Sequence, residues 1–209
     1  MALELPPLYA ILDPEHTRGR PAERVLIGLL EAGVSILQLR VKSLPPVDFL
    51  ALAKDARTAT RAHDCKLIIN DRIDVALACD ADGVHLGQDD LPLSAGRKLM
   101  GKKIVGISTH DLDQARAAER GGADYIGFGP MFGTRTKATV YEARGPEMLK
   151  QIRGAVRVPI VAIGGITEEN VQQVWQAGAD SAAIISDILH HDDPGAKVTR
   201  ILAQRQSYS

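Results

Sequence analysis

Short apolar runs punctuate the chain, and each is followed by a longer stretch whose apolar residues recur three and four apart. Leu8 to Leu12 is the first such run, and Pro21 then stands where a helix can start before Val25, Leu26, Leu29 and Leu30. The same beat follows in Ile36 to Leu39 with Val47 to His63, in Leu67 to Asn70 with Ile73 to Cys79, and in Gly83 to His85 with Pro92 to Met100. It continues through Ile104 to Ile107, Tyr125 to Phe128, Ile160 to Ile163 and Ala182 to Ile185, each with a helical pattern after it. Eight alternations of strand and helix predict a parallel sheet closed on itself, a single α/β domain of the (β/α)8 TIM-barrel type.

An internal repeat supports the count. Glu31 to Ser35, Asp80 to Gly83, Arg120 to Asp124 and Gln176 to Asp180 each fall between a helix and the next strand, where glycine supplies a left-handed turn. These turns belong to the bottom of a barrel and to folding. No Ser/Pro-rich or charged run divides the chain, so one domain is expected over 1–209, with a frayed tail at 203–209. A length of 209 residues, 45% of them hydrophobic, suffices for one core and leaves little room for insertions.

Composition narrows the partners. Lys and Arg total 25 against 26 Asp and Glu, so a net charge of −1 gives no general pull toward nucleic acid or an anionic membrane. Any anion site must be local. Cys65 and Cys79 form no CxxC pair and lie among apolar residues, as buried free thiols in a reducing cytoplasm do. Met1 to Pro7 has neither a basic segment nor a long apolar one, and no run reaches membrane-spanning length. A cytoplasmic protein acting on small molecules is expected.

The candidate chemistry lies where strands end. Gln38, Arg40 and Lys42 are spaced by two, so an extended backbone points all three to one face while Leu39 and Val41 turn away. Two cations and an amide at a barrel mouth suit a phosphate or diphosphate; the bland alternative is a solvated strand end. Further polar clusters end the third to seventh strands: Asn70-Asp71-Arg72, Gly87-Gln88-Asp89-Asp90, Ser108-Thr109-His110, Gly129-Pro130 through Lys137, and Gly164-Gly165. Asp71 and Asp90 end neighbouring strands and suit Mg²⁺, which takes one or two carboxylates and keeps waters. Asp89 competes for that role, and the alternative for Asp71 or Asp90 alone is a cap on the helix that follows. No His or Cys cluster has zinc spacing. Gly165 and Ser186 follow the seventh and eighth strands, whose loops recurrently cradle phosphate in this fold. Diphosphate and two aspartates against Arg40, Lys42, Lys137 and one Mg²⁺ sum to about zero charge.

These motifs in this order, from about Leu8 to Leu189, resemble those of thiamine phosphate synthase. The resemblance implies transfer of a 4-amino-2-methyl-5-pyrimidinylmethyl group from its diphosphate ester to the nitrogen of a thiazole phosphate, with loss of diphosphate first and capture of the resulting cation. It further implies that Gln38 holds the aminopyrimidine, and that Arg40, Lys42, Asn70, Ser108 and Lys137 bind the diphosphate. Of these, Arg40, Lys42, Ser108 and Lys137 would act catalytically. Asp71 and Asp90 would hold Mg²⁺, and Thr134, Arg135, Thr136, Gly165, Ile185 and Ser186 would enclose the thiazole phosphate. No strong base is needed, since the attacking nitrogen carries no proton. The family's frequent dimers make a homodimer an expectation that the sequence itself does not address.

Two departures stand out. Gly133 occupies a place where the family often has proline, and Ala138 to Arg144 continues the loop unusually; both bear on loop closure and the thiazole contacts. Val41, where an acidic residue is common, points away from the trio. The nearest rival is a thiazole tautomerase of the same fold, which uses a histidine where this chain has His110. Those relatives lack the Gln38, Asp71, Asp90 and Thr136-Lys137 pattern. A catalytically inactive phosphate-binding barrel is the other rival, and His110 is equally readable as a capping or loop-packing residue.

Overall fold

A computed structural model describes residues 3–133 and 141–206. Eight strands, β1 (Leu8–Leu12), β2 (Ile36–Leu39), β3 (Lys66–Asn70), β4 (Gly83–Leu86), β5 (Ile104–Thr109), β6 (Tyr125–Phe128), β7 (Ile160–Ile163) and β8 (Ser181–Ile184), pair in parallel in chain order. β8 pairs with β1, so the sheet closes into the expected (β/α)8 barrel. The helices are α1 (Ala22–Glu31), α2 (Pro46–Ala62), α3 (Ile73–Ala78), α4 (Leu93–Met100), α5 (Leu112–Arg120), α6 (Gly145–Ala155), α7 (Val171–Gln176), the single turn α8 (Ser186–Leu189) and α9 (Pro194–Gln206). No helix among the described residues is long and apolar enough to cross a membrane.

Alternation along each strand divides the apolar residues between two cores. Leu8, Ala10, Leu12, Leu37, Leu39, Leu67 and Ile69 face outward against the helices. Tyr9, Ile11, Ile36, Ile68, Tyr125, Val161 and Ala183 fill the barrel's interior. These residues pack the interior below, and a cavity opens at the carboxyl ends of the strands.

The bottom turns have a recurring clamp. Asp82, Asp124 and Asp180 each accept the first or second N–H of the strand before their own, from Leu67, Val105 and Ile160, all at 2.8 Å. Each also pairs with an arginine of the helix that precedes that earlier strand, Arg57 of α2, Arg97 of α4 and Arg153 of α6 respectively. One carboxylate therefore ties a helix to two neighbouring strands, a folding role as expected. Within this repeat one expectation is corrected. Gly83 does not make a left-handed turn; Asp80 does, with φ of 53°. Gly83 lies in β4, where a Cβ would come 2.5 Å from the Ile104 carbonyl oxygen.

The tail also differs from expectation. α9 continues to Gln206, Val198 and Ile201 are fully buried, and Gln204 donates to the Glu168 carbonyl at 3.0 Å. An amphipathic last helix packing on α1 and α7 outweighs the polar composition that suggests fraying.

Candidate active site

The barrel mouth opens into a cavity of about 450 Å³, whose lining includes Gln38, Arg40, Lys42, Asn70, Asp71, Asp90, Ser108, Gly165, Ile185 and Ser186. The period of two works as expected in β2: Gln38, Arg40 and Lys42 face the cavity, whereas Leu39 and Val41 are buried against the helices. Arg40 is not a loose cation. Its Nη1 is paired with Asp13, a fully buried carboxylate just past β1, and Asp13 also accepts the Glu15 N–H at 3.0 Å. This leaves the other guanidinium N–H groups for a ligand and fixes their plane. The sequence-based charge sum omitted Asp13, so it overstates the positive side by about one charge.

Asp71 and Asp90 meet across the ends of β3 and β4. Asp71 adopts φ of 61°, a left-handed conformation that Asp tolerates, and its N–H donates to the His85 carbonyl at 2.8 Å. Its carboxylate is paired with Lys42. Asp90 accepts the Gly87 N–H at 2.6 Å, folding the loop after β4 back on itself. Burial and the hydrogen-bonded Asp71 carboxylate push the Asp90 acid above its ordinary range, while the Gly87 N–H and Lys42 oppose that shift. Neither aspartate caps a helix: Arg72 and Pro92 hold the cap positions of α3 and α4, without side-chain capping bonds. Asp89 lines the cavity but is exposed. Two apposed carboxylates with one facing lysine form a donor set that a hard divalent cation fits, Mg²⁺ above all. Among the described residues no third His, Cys, Asp or Glu joins such a group.

The cavity floor is a polar chain through the barrel's interior. Gln38 Nε2 donates to the Tyr9 hydroxyl at 3.1 Å, the Tyr9 and Tyr125 hydroxyls are 2.8 Å apart, and Tyr125 lies 3.0 Å from His85 Nδ1. His85 Nε2 lies 3.0 Å from Ser108 Oγ. The His85 and Tyr125 rings stack with centroids 5.5 Å apart. Glycines make room for them. A Cβ on Gly106 would fall 2.1 Å from the Tyr125 ring, and one on Gly127 would fall 2.9 Å from His85. Burial pushes the pKa of both tyrosine hydroxyls well above the ordinary value, so they stay protonated.

Gly165, Ile185 and Ser186 form the opposite wall, at the ends of β7 and β8. Gly164 and Gly165 have φ of 101° and 65°, and a Cβ on Gly165 would lie 2.5 Å from the Gly133 carbonyl oxygen. The pair therefore serves close packing of the loop after β6 as well as lining the cavity, with Met131 and Phe132 N–H groups donating to Ile163 and Gly164. Thr134, Arg135, Thr136 and Lys137 lie outside the described residues, as do positions 138–140 of the unusual continuation. Beyond them, Tyr141 stacks on His110 at 3.8 Å, and Arg144 lies over the Tyr141 ring. His110 Nδ1 is 2.6 Å from the Gly129 carbonyl oxygen, while Asp111 caps α5. His110 thus packs the returning loop.

Four residues of this site carried no role in the sequence reading: Asp13, Tyr9, Tyr125 and His85. His85 closes the apolar run from Gly83 and the tyrosines look like ordinary core residues, until the barrel brings their polar groups together.

Comparison with known proteins follows the same lines. A family model described as thiamine monophosphate synthase matches residues 8–188. A thiamine-phosphate synthase of Halalkalibacterium halodurans is 48% identical over 187 residues, covering 89% of each chain. One of Chloroflexus aurantiacus is 42% identical over 196 residues, covering 94% of this chain and 91% of that one. The solved structure of a Pyrococcus furiosus thiamine phosphate pyrophosphorylase superposes with a TM-score of 0.87 at 34% identity, covering 95% of this chain and 96% of the other. With a family model matching most of the chain, a closely superposing barrel and relatives of this identity along nearly its whole length, the chain belongs to the thiamine monophosphate synthase family.

Proposed function

We propose that the chain makes thiamine phosphate, transferring the pyrimidinylmethyl group of a pyrimidine diphosphate ester to the nitrogen of a thiazole phosphate. The observation that carries this reading is the gathering of Gln38, Arg40, Lys42, Asn70, Asp71, Asp90 and Ser108 on one side of a single cavity whose other wall is Gly165, Ile185 and Ser186. One side suits a diphosphate, the other a monophosphate, and the space between suits the two rings.

In the first step the bond between the pyrimidine methylene carbon and the diphosphate oxygen breaks, and its electron pair leaves with the diphosphate. Arg40, Lys42, Asn70 and Ser108, with Lys137 assigned by resemblance, bind the departing oxygens and offset the charge that develops on them. Asp71 and Asp90 would hold Mg²⁺, which supplies further positive charge to the leaving diphosphate when bound. Gln38 orients the aminopyrimidine. The thiazole nitrogen, held with its phosphate near Gly165 and Ser186 and by the Thr134 to Thr136 segment, then donates its lone pair to the exposed methylene carbon. A carbon–nitrogen bond replaces the carbon–oxygen bond, and no proton moves, so the site needs no general base.

A tautomerase would require a base after β5, and His110 is instead stacked on Tyr141 and bonded to the Gly129 carbonyl. The direct test is formation of thiamine phosphate from the two halves with and without Mg²⁺. Product is expected only with the metal, and Asp90→Ala is expected to lose turnover with the fold kept. Full turnover of Asp90→Ala would remove that carboxylate from the metal site.

A further inference from the structure

The polar chain beneath the cavity has a direction, and the direction sets what its two ends offer a substrate. Gln38 Nε2 can only donate, so the Tyr9 oxygen is an acceptor at that contact. Tyr9 is fully buried, and the Tyr125 hydroxyl at 2.8 Å is the partner available for its own proton. With its oxygen receiving that proton, Tyr125 in turn donates to His85 Nδ1. His85 Nε2 then carries the hydrogen and donates to Ser108 Oγ. The Ser108 proton is left to point away from His85, toward the cavity that Ser108 lines. At the other end, the Gln38 amide holds its nitrogen down on Tyr9 and presents its oxygen upward.

We infer that a one-way chain of hydrogen bonds through Tyr9, Tyr125 and His85 fixes Gln38 as an acceptor and Ser108 as a donor, making these three positioning residues for the two ends of one substrate. With Gln38 Nε2 on Tyr9, the reverse polarity strands a proton: if Ser108 and His85 donated inward, Tyr9 would receive two hydrogen bonds and its own buried hydrogen would have no acceptor, and only turning the Gln38 amide over would relieve this, leaving an NH2 group where the substrate's amine needs an acceptor. The fixed polarity matches the chemistry of the proposed substrate, on which this inference rests. An exocyclic amine needs an acceptor, and a diphosphate oxygen needs a donor. Glycine at 106 and 127 is the structural cost of seating the stacked Tyr125 and His85 rings inside the barrel at all.

The test is nitrogen-15 spectroscopy of the full chain in neutral buffer, without substrate, so its result is independent of the proposed reaction. The chain has six histidines, and comparison with His85→Gln identifies the His85 signals. Wild type is expected to show His85 as the neutral tautomer with hydrogen on Nε2; hydrogen on Nδ1, or on both nitrogens, overturns the inference. Tyr9→Phe is expected to keep this tautomer, since Tyr125 can still donate, while raising KM for the pyrimidine diphosphate about tenfold as Gln38 loses its anchor. Tyr125→Phe is expected to mix the His85 tautomers and raise the same KM. A Tyr125→Phe spectrum identical to wild type would also overturn it.

Discussion

Arg40 illustrates how one residue's role depends on another that no local pattern reveals. Its spacing from Gln38 and Lys42 places it on the cavity face, and that much is legible in the sequence because a strand has a period of two. Its aim is set by Asp13, whose buried carboxylate follows β1 and reaches the neighbouring strand's end. Asp13→Asn keeps the size and loses the charge. It is expected to raise KM for the pyrimidine diphosphate about tenfold or more with the far-ultraviolet spectrum unchanged, because a misaimed guanidinium no longer meets the diphosphate. An unchanged KM would show that Arg40 holds its position alone. The Asp71 and Asp90 pair was legible for a different reason: carboxylates just past the ends of adjacent apolar strands lie at the mouth of a closed parallel barrel. Tyr9 and Tyr125 were not, since a tyrosine in an apolar strand reads as core, and only the closed barrel brings hydroxyls 116 positions apart into contact.

At the scale of elements, strand positions were largely readable because each is a short apolar run bounded by turn residues, and β1, β2, β6 and β7 begin and end where the pattern places them. What escaped depended on neighbours. Gly83 looks like a turn residue and is a strand residue, needed where β4 passes the Ile104 carbonyl. Gly165 looks like an open phosphate loop and is also a packing point against the loop that follows β6. Gly165→Ala therefore tests both roles together: its Cβ would meet the Gly133 carbonyl at 2.5 Å in a backbone conformation, φ of 65°, that alanine resists. The expected outcome is a loss of about 1–3 kcal/mol in urea unfolding and a rise in KM for the thiazole phosphate well above any change for the pyrimidine diphosphate. Equal changes for both substrates would contradict two separate walls. The thiazole side was the less legible half, because its assigned residues Thr134 to Thr136 rest on resemblance and lie outside the described residues.

For the whole molecule, the buried tyrosine pair links the barrel's interior to alkaline stability. Burial raises both hydroxyls in the folded state above the ordinary value of 10.0. Below pH 10 folded and unfolded chains both keep these protons, and the contribution to stability is complete. Above it the unfolded chain ionises while the folded one does not, so stability falls as pH rises, at about 1.4 kcal/mol per pH unit for each tyrosine. Urea midpoints measured through this range are expected to fall less steeply in Tyr9→Phe than in wild type. Equal slopes would mean that the pair ionises as freely inside the barrel as outside it. The same closed architecture that buries these hydroxyls also assembles the anion site from the ends of four strands, β2 to β5, and the account turns on that assembly. A crystal structure of the protein soaked with Mg²⁺ and diphosphate tests it most directly. Density for the metal on Asp71 and Asp90, with diphosphate reaching Arg40 and Ser108, is the predicted result; diphosphate seated elsewhere, with Asp71 still paired with Lys42 and no metal on either carboxylate, would contradict it.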